Sequence, residues 1–249
     1  MTTIAIANHK GGPAKTTTAY HLAKAMTEAG YTVRLIDLDP QANLTTKCGG
    51  LITAGEIGDA LGGAVNPTRQ IRQIAQTMDD GTQLVPASIQ LENVASGLMT
   101  RPTGRLTALR KALAGCADDV DYHIIDCPPN AGVLTLNALV ASDWVVIPSE
   151  AEDSSINGVR TILQLTEDVL EVNGAHPRVA GILATRVELH TTRHQIGVDI
   201  LKKMTPPFLG IIPKRAGVSA NIELSFAYSA LLPTLLTAME VTDAIATEQ

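Results

Sequence analysis

A chain of 249 residues that is 45% hydrophobic, 18% charged and 3% aromatic has room for one large α/β core filled by Ala, Leu, Ile and Val rather than by rings. No apolar run reaches the roughly eighteen residues that span a bilayer, and the N-terminus lacks the basic, apolar and small-residue order of a secretory signal, so a cytoplasmic protein is expected. A net charge of −6 argues against a chain that is basic throughout, and three cysteines (Cys48, Cys116, Cys127) without a CxxC pair argue against a disulfide framework or a zinc or iron–sulfur site.

Short β-rich apolar runs alternate with longer runs of helical period, the pattern of βαβ units and a mainly parallel sheet. In chain order, strands are predicted at TIAIAN (3–8), TVRLIDLD (32–39), QLVPA (83–87), YHIIDCPP (122–129), DWVVIPS (143–149), RVAGILATR (178–186) and FLGIIPK (208–214). Helices are predicted at 15–30 with Gly30 closing the end, near 103–115, at 132–142, 155–174 and 191–204, and across the last nineteen or so residues. Residues 48–80, rich in Gly, Ala and Thr, are expected to pack short helices beside the sheet. The fold class is therefore α/β, a single doubly wound, mainly parallel sheet with helices on both faces. Residues 1–249 are expected to form one domain, with no helix-turn-helix ahead of the first strand.

Ligands of doubly wound sheets bind beyond the carboxyl ends of the strands. The first such exit, residues 10–17, opens a helix whose unpaired N–H groups and partial positive charge suit a polyphosphate. Lys15 could reach the outer phosphates, and the Thr16 hydroxyl could ligate Mg²⁺. Read strictly, the phosphate-loop pattern GxxxxGK[ST] fails twice, because His9 and Ala14 occupy its glycine positions. At the second exit, LIDLDPQANLT, Asp37 and Asp39 stand two apart and point the same way. At the third, YHIIDCPPNAG, an apolar strand ends in Asp126, a carboxylate placed to hold Mg²⁺ through water. Cys127 beside it has acidic and apolar neighbours, which do not make a reactive thiolate. The fourth is GIIPKR (210–215).

KGGPAKTTT resembles the deviant Walker motif of the ParA and MinD ATPase family, in which an additional lysine precedes the glycine pair. DLDPQANL, the PPxxG pattern at Pro128, Pro129 and Gly132, VPASIQLENV and LTLNALVASDWVVIP are similar to segments of the same family, up to about residue 215. The resemblance implies ATP and Mg²⁺ as cofactors, with Lys10, Gly11, Gly12, Pro13, Ala14, Lys15, Thr16 and Thr17 around the phosphates. It implies that Lys10 reaches the partner subunit's nucleotide, that Asp39 orients the attacking water, and that Asp37 supports the Mg²⁺ shell and the Thr16 hydroxyl. Pro213 and Arg215 are implied as base contacts. Beyond 215 the family's pattern is replaced by VSANIELSFAYSALLPTLL. Were Ala14 held at positive φ, the strain would be about 1 kcal/mol, a few-fold in nucleotide affinity.

In such a family, an ATP-bound homodimer binds DNA without sequence preference until a ParB-like centromere-binding partner stimulates hydrolysis. DNA binding of this kind needs a local basic surface. Residues 178–215 carry seven Lys or Arg and two acids, a local charge of +5 that leaves the remainder at −11. Arg186, Arg193, Lys202, Lys203 and Lys214 are the candidate DNA contacts. Placement of another cargo, a protein organelle or receptor cluster, is the alternative. A MinD-like membrane role is disfavoured because the tail LLPTLLTAMEVTDAIATEQ has no Lys or Arg and three acids, Glu240, Asp243 and Glu248. Cytoplasmic, nucleoid-associated ATPase action is the expectation.

Overall fold

The computed structural model describes residues 1–12, 14–63, 66–116, 119–214 and 220–247, with the side chains of 221–240 in the last helix. Pro13 and Arg215, two of the expected nucleotide contacts, and the tail acids Asp243 and Glu248 lie outside the residues or side chains described.

In chain order the elements are β1 (Thr2–Ile6), α1 (Lys15–Glu28), β2 (Val33–Asp37), α2 (Asn43–Lys47), α3 (Ile57–Leu61), α4 (Ile71–Ile74), β3 (Gln76–Thr77), β4 (Gln83–Val85), α5 (Leu91–Thr100) and α6 (Ala108–Ala114). They continue with β5 (Tyr122–Asp126), α7 (Val133–Ala141), β6 (Trp144–Glu150), α8 (Asp153–Asn173), β7 (Arg178–Val187), α9 (Thr192–Lys202), β8 (Phe208–Pro213) and α10 (Ala220–Thr247). The strands form one sheet in the order β3-β4-β2-β5-β1-β6-β7-β8. Every pairing among the described residues is parallel except that of the two-residue β3 with β4.

Alternation along each strand divides the core in two. Ile4, Ile6, Val33, Leu35 and Ile124 face α1 and α10, whereas Ala5, Ala7, Ile36, Leu38 and Ile125 face the helices of the opposite side. On the first side α1 buries Ala19, Leu22, Ala23 and Met26, small and medium side chains at helical spacing that let it lie close to the sheet. Tyr228, Leu231, Leu232, Leu235 and Met239 of α10 complete that core.

The predicted strands all form, and β3 is an addition. Helix α5 lies outside the predicted elements, because it buries only Leu91 and Leu98, too sparse a stripe to show as a period. Helix α10 begins at 220, well before the expected tail. Its Asn221–Glu240 stretch is also long and apolar enough, by composition, to cross a membrane, which corrects the expectation that no segment is. Part of that apolar surface packs on α1, β7 and β8.

Candidate active site

The loop from β1 to α1 lies at the end of a central strand whose neighbours, β5 and β6, are reached in opposite directions, the switch point where doubly wound sheets bind ligands. Ala14 occupies the left-handed region, φ 62° and ψ 31°. Its N–H donates to the Gly12 carbonyl at 2.7 Å, and its own carbonyl accepts from the Thr18 N–H at 2.8 Å. No side chain among the described residues caps α1, so its first amides face the hollow in front of it, as anion sites require. That hollow is about 620 Å³ and is lined by Gly11, Gly12, Ala14, Lys15, Thr16 and Thr17 on one side. Asp39, Gln41, Asn43, Lys47 and Pro129 border it from the β2 and β5 exits, and Thr185, Arg186, Ile212, Pro213, Lys214, Leu224 and Tyr228 from the other end.

The two loop lysines part company. Lys15 is buried, and its Nζ donates to the Lys10 carbonyl at 2.9 Å. Burial lowers its pKa below the ordinary value, opposed by Asp126, Cys127 and Asp39. Lys10 does not line the hollow. Its Nζ donates to Ser154 Oγ at 2.6 Å and lies 4.0 Å from Glu150 and 3.9 Å from Glu152.

Parallel register pairs Asp37 with Asp126, and Ile6 with Asp126, so these strand ends arrive together on the α1 side of the sheet. Asp37 spends both oxygens locally: Oδ2 accepts from the Thr45 N–H at 2.8 Å and the Thr45 hydroxyl at 2.7 Å, and Oδ1 accepts from the Asp39 N–H at 3.1 Å. These three hydrogen bonds fix α2 and the Asp39 turn. Burial raises its pKa to about 6, against the pull of those hydrogen bonds. Asp126 is pushed well above the usual carboxylate range by burial first and then by Asp37, with Thr16 and Lys15 acting the other way. Both Asp126 oxygens are buried without a hydrogen-bond partner among the described residues. A lone buried carboxylate beside two others calls for a cation or a proton. Asp39 lines the hollow, and its Oδ1 accepts from the Gln41 N–H at 3.0 Å. Burial and Asp126 push the Cys127 thiol far up, which removes it as a nucleophile.

Among the described residues, the cations of the basic segment divide between the hollow and α9. Arg186 and Lys214 line the hollow, and Lys214 is paired with Glu188. Arg193, Lys202 and Lys203 are exposed on or just beyond α9. At about 100° per residue, Arg193 and Lys202 fall on opposite edges of the exposed face, with Ile196, Asp199 and Ile200 between them.

Several residues that hold the site carried no motif. The Asn8 side-chain amide donates to the Pro148 carbonyl at 2.7 Å, buried beneath the loop. Tyr228 of α10 shares a 2.8 Å hydrogen bond with Thr18 and stacks on His21 with centroids 5.5 Å apart. The family resemblance faded at this stretch of α10, so only the position of an aromatic seven residues before a buried Leu could have pointed to it.

A parallel sheet with a phosphate loop at its switch point and acids at the adjoining strand ends defines a P-loop ATPase core. A family model described as an AAA domain matches residues 1–176. The sporulation initiation inhibitor protein Soj of Bacillus subtilis is 33% identical over 94% of this chain and 90% of its own length. The chromosome-partitioning ATPase Soj of Thermus thermophilus is 38% identical over 76% of this chain and 70% of its own. Among solved structures, cobyrinic acid a,c-diamide synthase of Mycobacterium smegmatis, with bound ATP analog and magnesium, superposes with a TM-score of 0.81 at 34% identity, covering 92% of each chain. The chain belongs to the ParA/Soj family of partition ATPases.

Proposed function

We propose that this chain is a DNA-partition ATPase whose ATP-bound homodimer holds DNA without sequence preference and lets go when a ParB-like centromere-binding partner stimulates hydrolysis. Residues 1–249 act as one ATPase domain in the cytoplasm, on the nucleoid. The observation that supports this reading is the division between the loop lysines: Lys15 is buried at the hollow, while Lys10 stands outside it on Ser154, Glu150 and Glu152, from which a second subunit's nucleotide would draw it.

In this reading Lys15 and the amides of Gly11, Gly12, Lys15, Thr16 and Thr17 bind the phosphates of ATP, Ala14 sets the turn between them, and Pro213 borders the base. The unpartnered oxygens of Asp126, with Thr16 beside them, fit Mg²⁺, held by the Thr16 hydroxyl and through water by Asp126. When bound, Mg²⁺ neutralises charge developing on the transferred phosphoryl group. Asp37 acts through the turn it fixes, setting Asp39 where it can orient the attacking water. Catalysis of this kind is mostly positioning, so basal turnover is slow and the partner is the control point. Arg193, Lys202 and Lys203, with Lys214 at the hollow's edge, supply the phosphate-neutralising contacts to DNA.

The test is DNA association measured with ADP and with ATP across a salt series. Binding that requires ATP and falls steeply with salt is expected; association that ignores the nucleotide, or none at all, overturns the partition reading.

A further inference from the structure

Arg186 holds a backbone conformation that arginine disfavours, φ 53°. It does so where the pairing of β7 with β8 slips between Ala184 and Val187. Such irregularities re-aim a side chain, and a non-glycine residue stays left-handed only where its surroundings over-determine it. What is re-aimed here is a guanidinium. Its Nη1 donates to the Gly12 carbonyl of the phosphate loop at 3.3 Å, and its Nε lies 3.4 Å from Glu150 Oε1. Glu150 ends β6 and serves a second cation, with Oε2 4.0 Å from Lys10 Nζ. The same oxygen lies 4.0 Å from the point where a Cβ on Gly12 would sit. A carboxylate therefore stands on the rim of the loop that is to receive a triphosphate. Left unneutralised at this range, it would oppose the incoming charge.

We infer that Arg186 and Glu150 form a positioning pair for the phosphate loop. Arg186 cancels the Glu150 charge at the rim and braces Gly12 from its place in the lining of the hollow, while Glu150 holds Lys10 on the loop's outer side. The affinity for ATP is set by the balance within this pair as well as by the loop itself. The inference rests on the ATPase reading of the hollow, but on neither DNA nor the centromere-binding partner.

A double-mutant cycle on the full chain, read by titration with ATP and Mg²⁺ and by steady-state hydrolysis, tests it. Arg186→Ala is expected to weaken ATP binding about tenfold, the scale of one uncompensated charge a few ångströms away, with kcat at saturating ATP changed less than about twofold. Glu150→Gln alone should tighten ATP binding about threefold, since it removes the rim charge without altering shape. The double variant should bind ATP at least as tightly as the parent, where independent effects would leave it about threefold weaker. Arg186→Lys should recover part of the loss by charge alone. A double variant as weak as Arg186→Ala would mean that Arg186 touches the nucleotide itself, and Glu150→Gln binding ATP no tighter than the parent would mean that the rim charge is idle; either overturns the pair. Because Glu150→Gln is nearly isosteric, it decides the matter even if Arg186→Ala does not fold. Loss of DNA association with an intact cycle would count against the partition reading and leave the pair standing.

Discussion

Gly158 of α8 stands directly against Asn8 beneath the phosphate loop: a Cβ at 158 would lie 2.2 Å from Asn8 Oδ1 and 3.3 Å from the His9 carbonyl carbon. Asn8 cannot easily yield, because it is buried and its amide is tied to Pro148. Gly158→Ala should therefore cost about 1–3 kcal/mol of stability, the range for overpacking a filled interior, and weaken ATP binding by displacing the start of the loop. Urea unfolding and ATP titration of the variant check both effects. An unchanged unfolding midpoint would show that Asn8 has room to move.

Ala14 at φ 62° stores strain that glycine would not. Ala14→Gly relieves about 1 kcal/mol, and a few-fold tighter ATP binding is expected, followed by isothermal titration. Identical affinities in the two proteins would place the strain relief wholly in folding.

In the proposed reading, the acids at the strand ends separate binding from chemistry. Asp39→Ala should keep ATP binding and lose hydrolysis by about 100-fold or more, the span of a lost water-orienting group, so that a DNA-bound dimer accumulates. Lys15→Ala should lose binding outright. Asp126→Asn should erase the difference between ATP affinity measured with Mg²⁺ and with a chelator. Turnover unchanged by Asp39→Ala would remove that residue from catalysis.

His21 offers a check on the packing of α1 against α10 through pH. Burial first, then Lys47 and Lys24, lowers its pKa from 6.5 to about 4. The unfolded chain takes up this proton as pH falls through 6.5, while the folded chain resists until about 4. Its contribution is therefore whole above 6.5 and lost as pH falls toward 4, a change on the order of 3 kcal/mol. Asp37, raised to about 6, works in the opposite sense but is common to parent and variant. In His21→Gln, stability should fall less between pH 7 and pH 4.5 than in the parent, as measured by urea unfolding at both values. Parallel pH profiles would show that His21 titrates normally.

Charge reversal on α9 and just beyond it tests the DNA surface. Lys202→Glu together with Lys203→Glu should weaken ATP-dependent DNA binding and reduce the slope of log affinity against log salt by about 2, near one unit for each DNA phosphate that is no longer neutralised. A slope equal to the parent's would remove these lysines from the surface.

The sequence carried the sheet and the phosphate loop because strand runs such as VRLID and YHIID are short, apolar and end in acids, and because Lys10 and Lys15 sit in a linear motif. It could not carry Arg186 or Glu150. Their meeting depends on a slip in the β7–β8 pairing and on β6 ending beside β1, relations between segments 26 residues apart at the least. The family resemblance implies a role for Asp37 near Mg²⁺ but not the contacts that hold it. Only the fold shows Thr45, from the following helix, taking up its oxygen. Charge summed along residues 178–215 does not show where each cation lies: Arg186 and Lys214 line the hollow, whereas Arg193, Lys202 and Lys203 are exposed on or just beyond α9.

The alignment of Asp37 with Asp126 across β2 and β5 has a consequence for how the chain is proofread. Successive residues of a strand point to opposite faces, so a slip of one position between these strands would carry a carboxylate through to the far side. In the proposed reading, magnesium nucleotide would favour molecules whose central strands have mated correctly, and by mass action it would draw the population toward them. The ligand that powers the protein also serves as the gauge of its assembly.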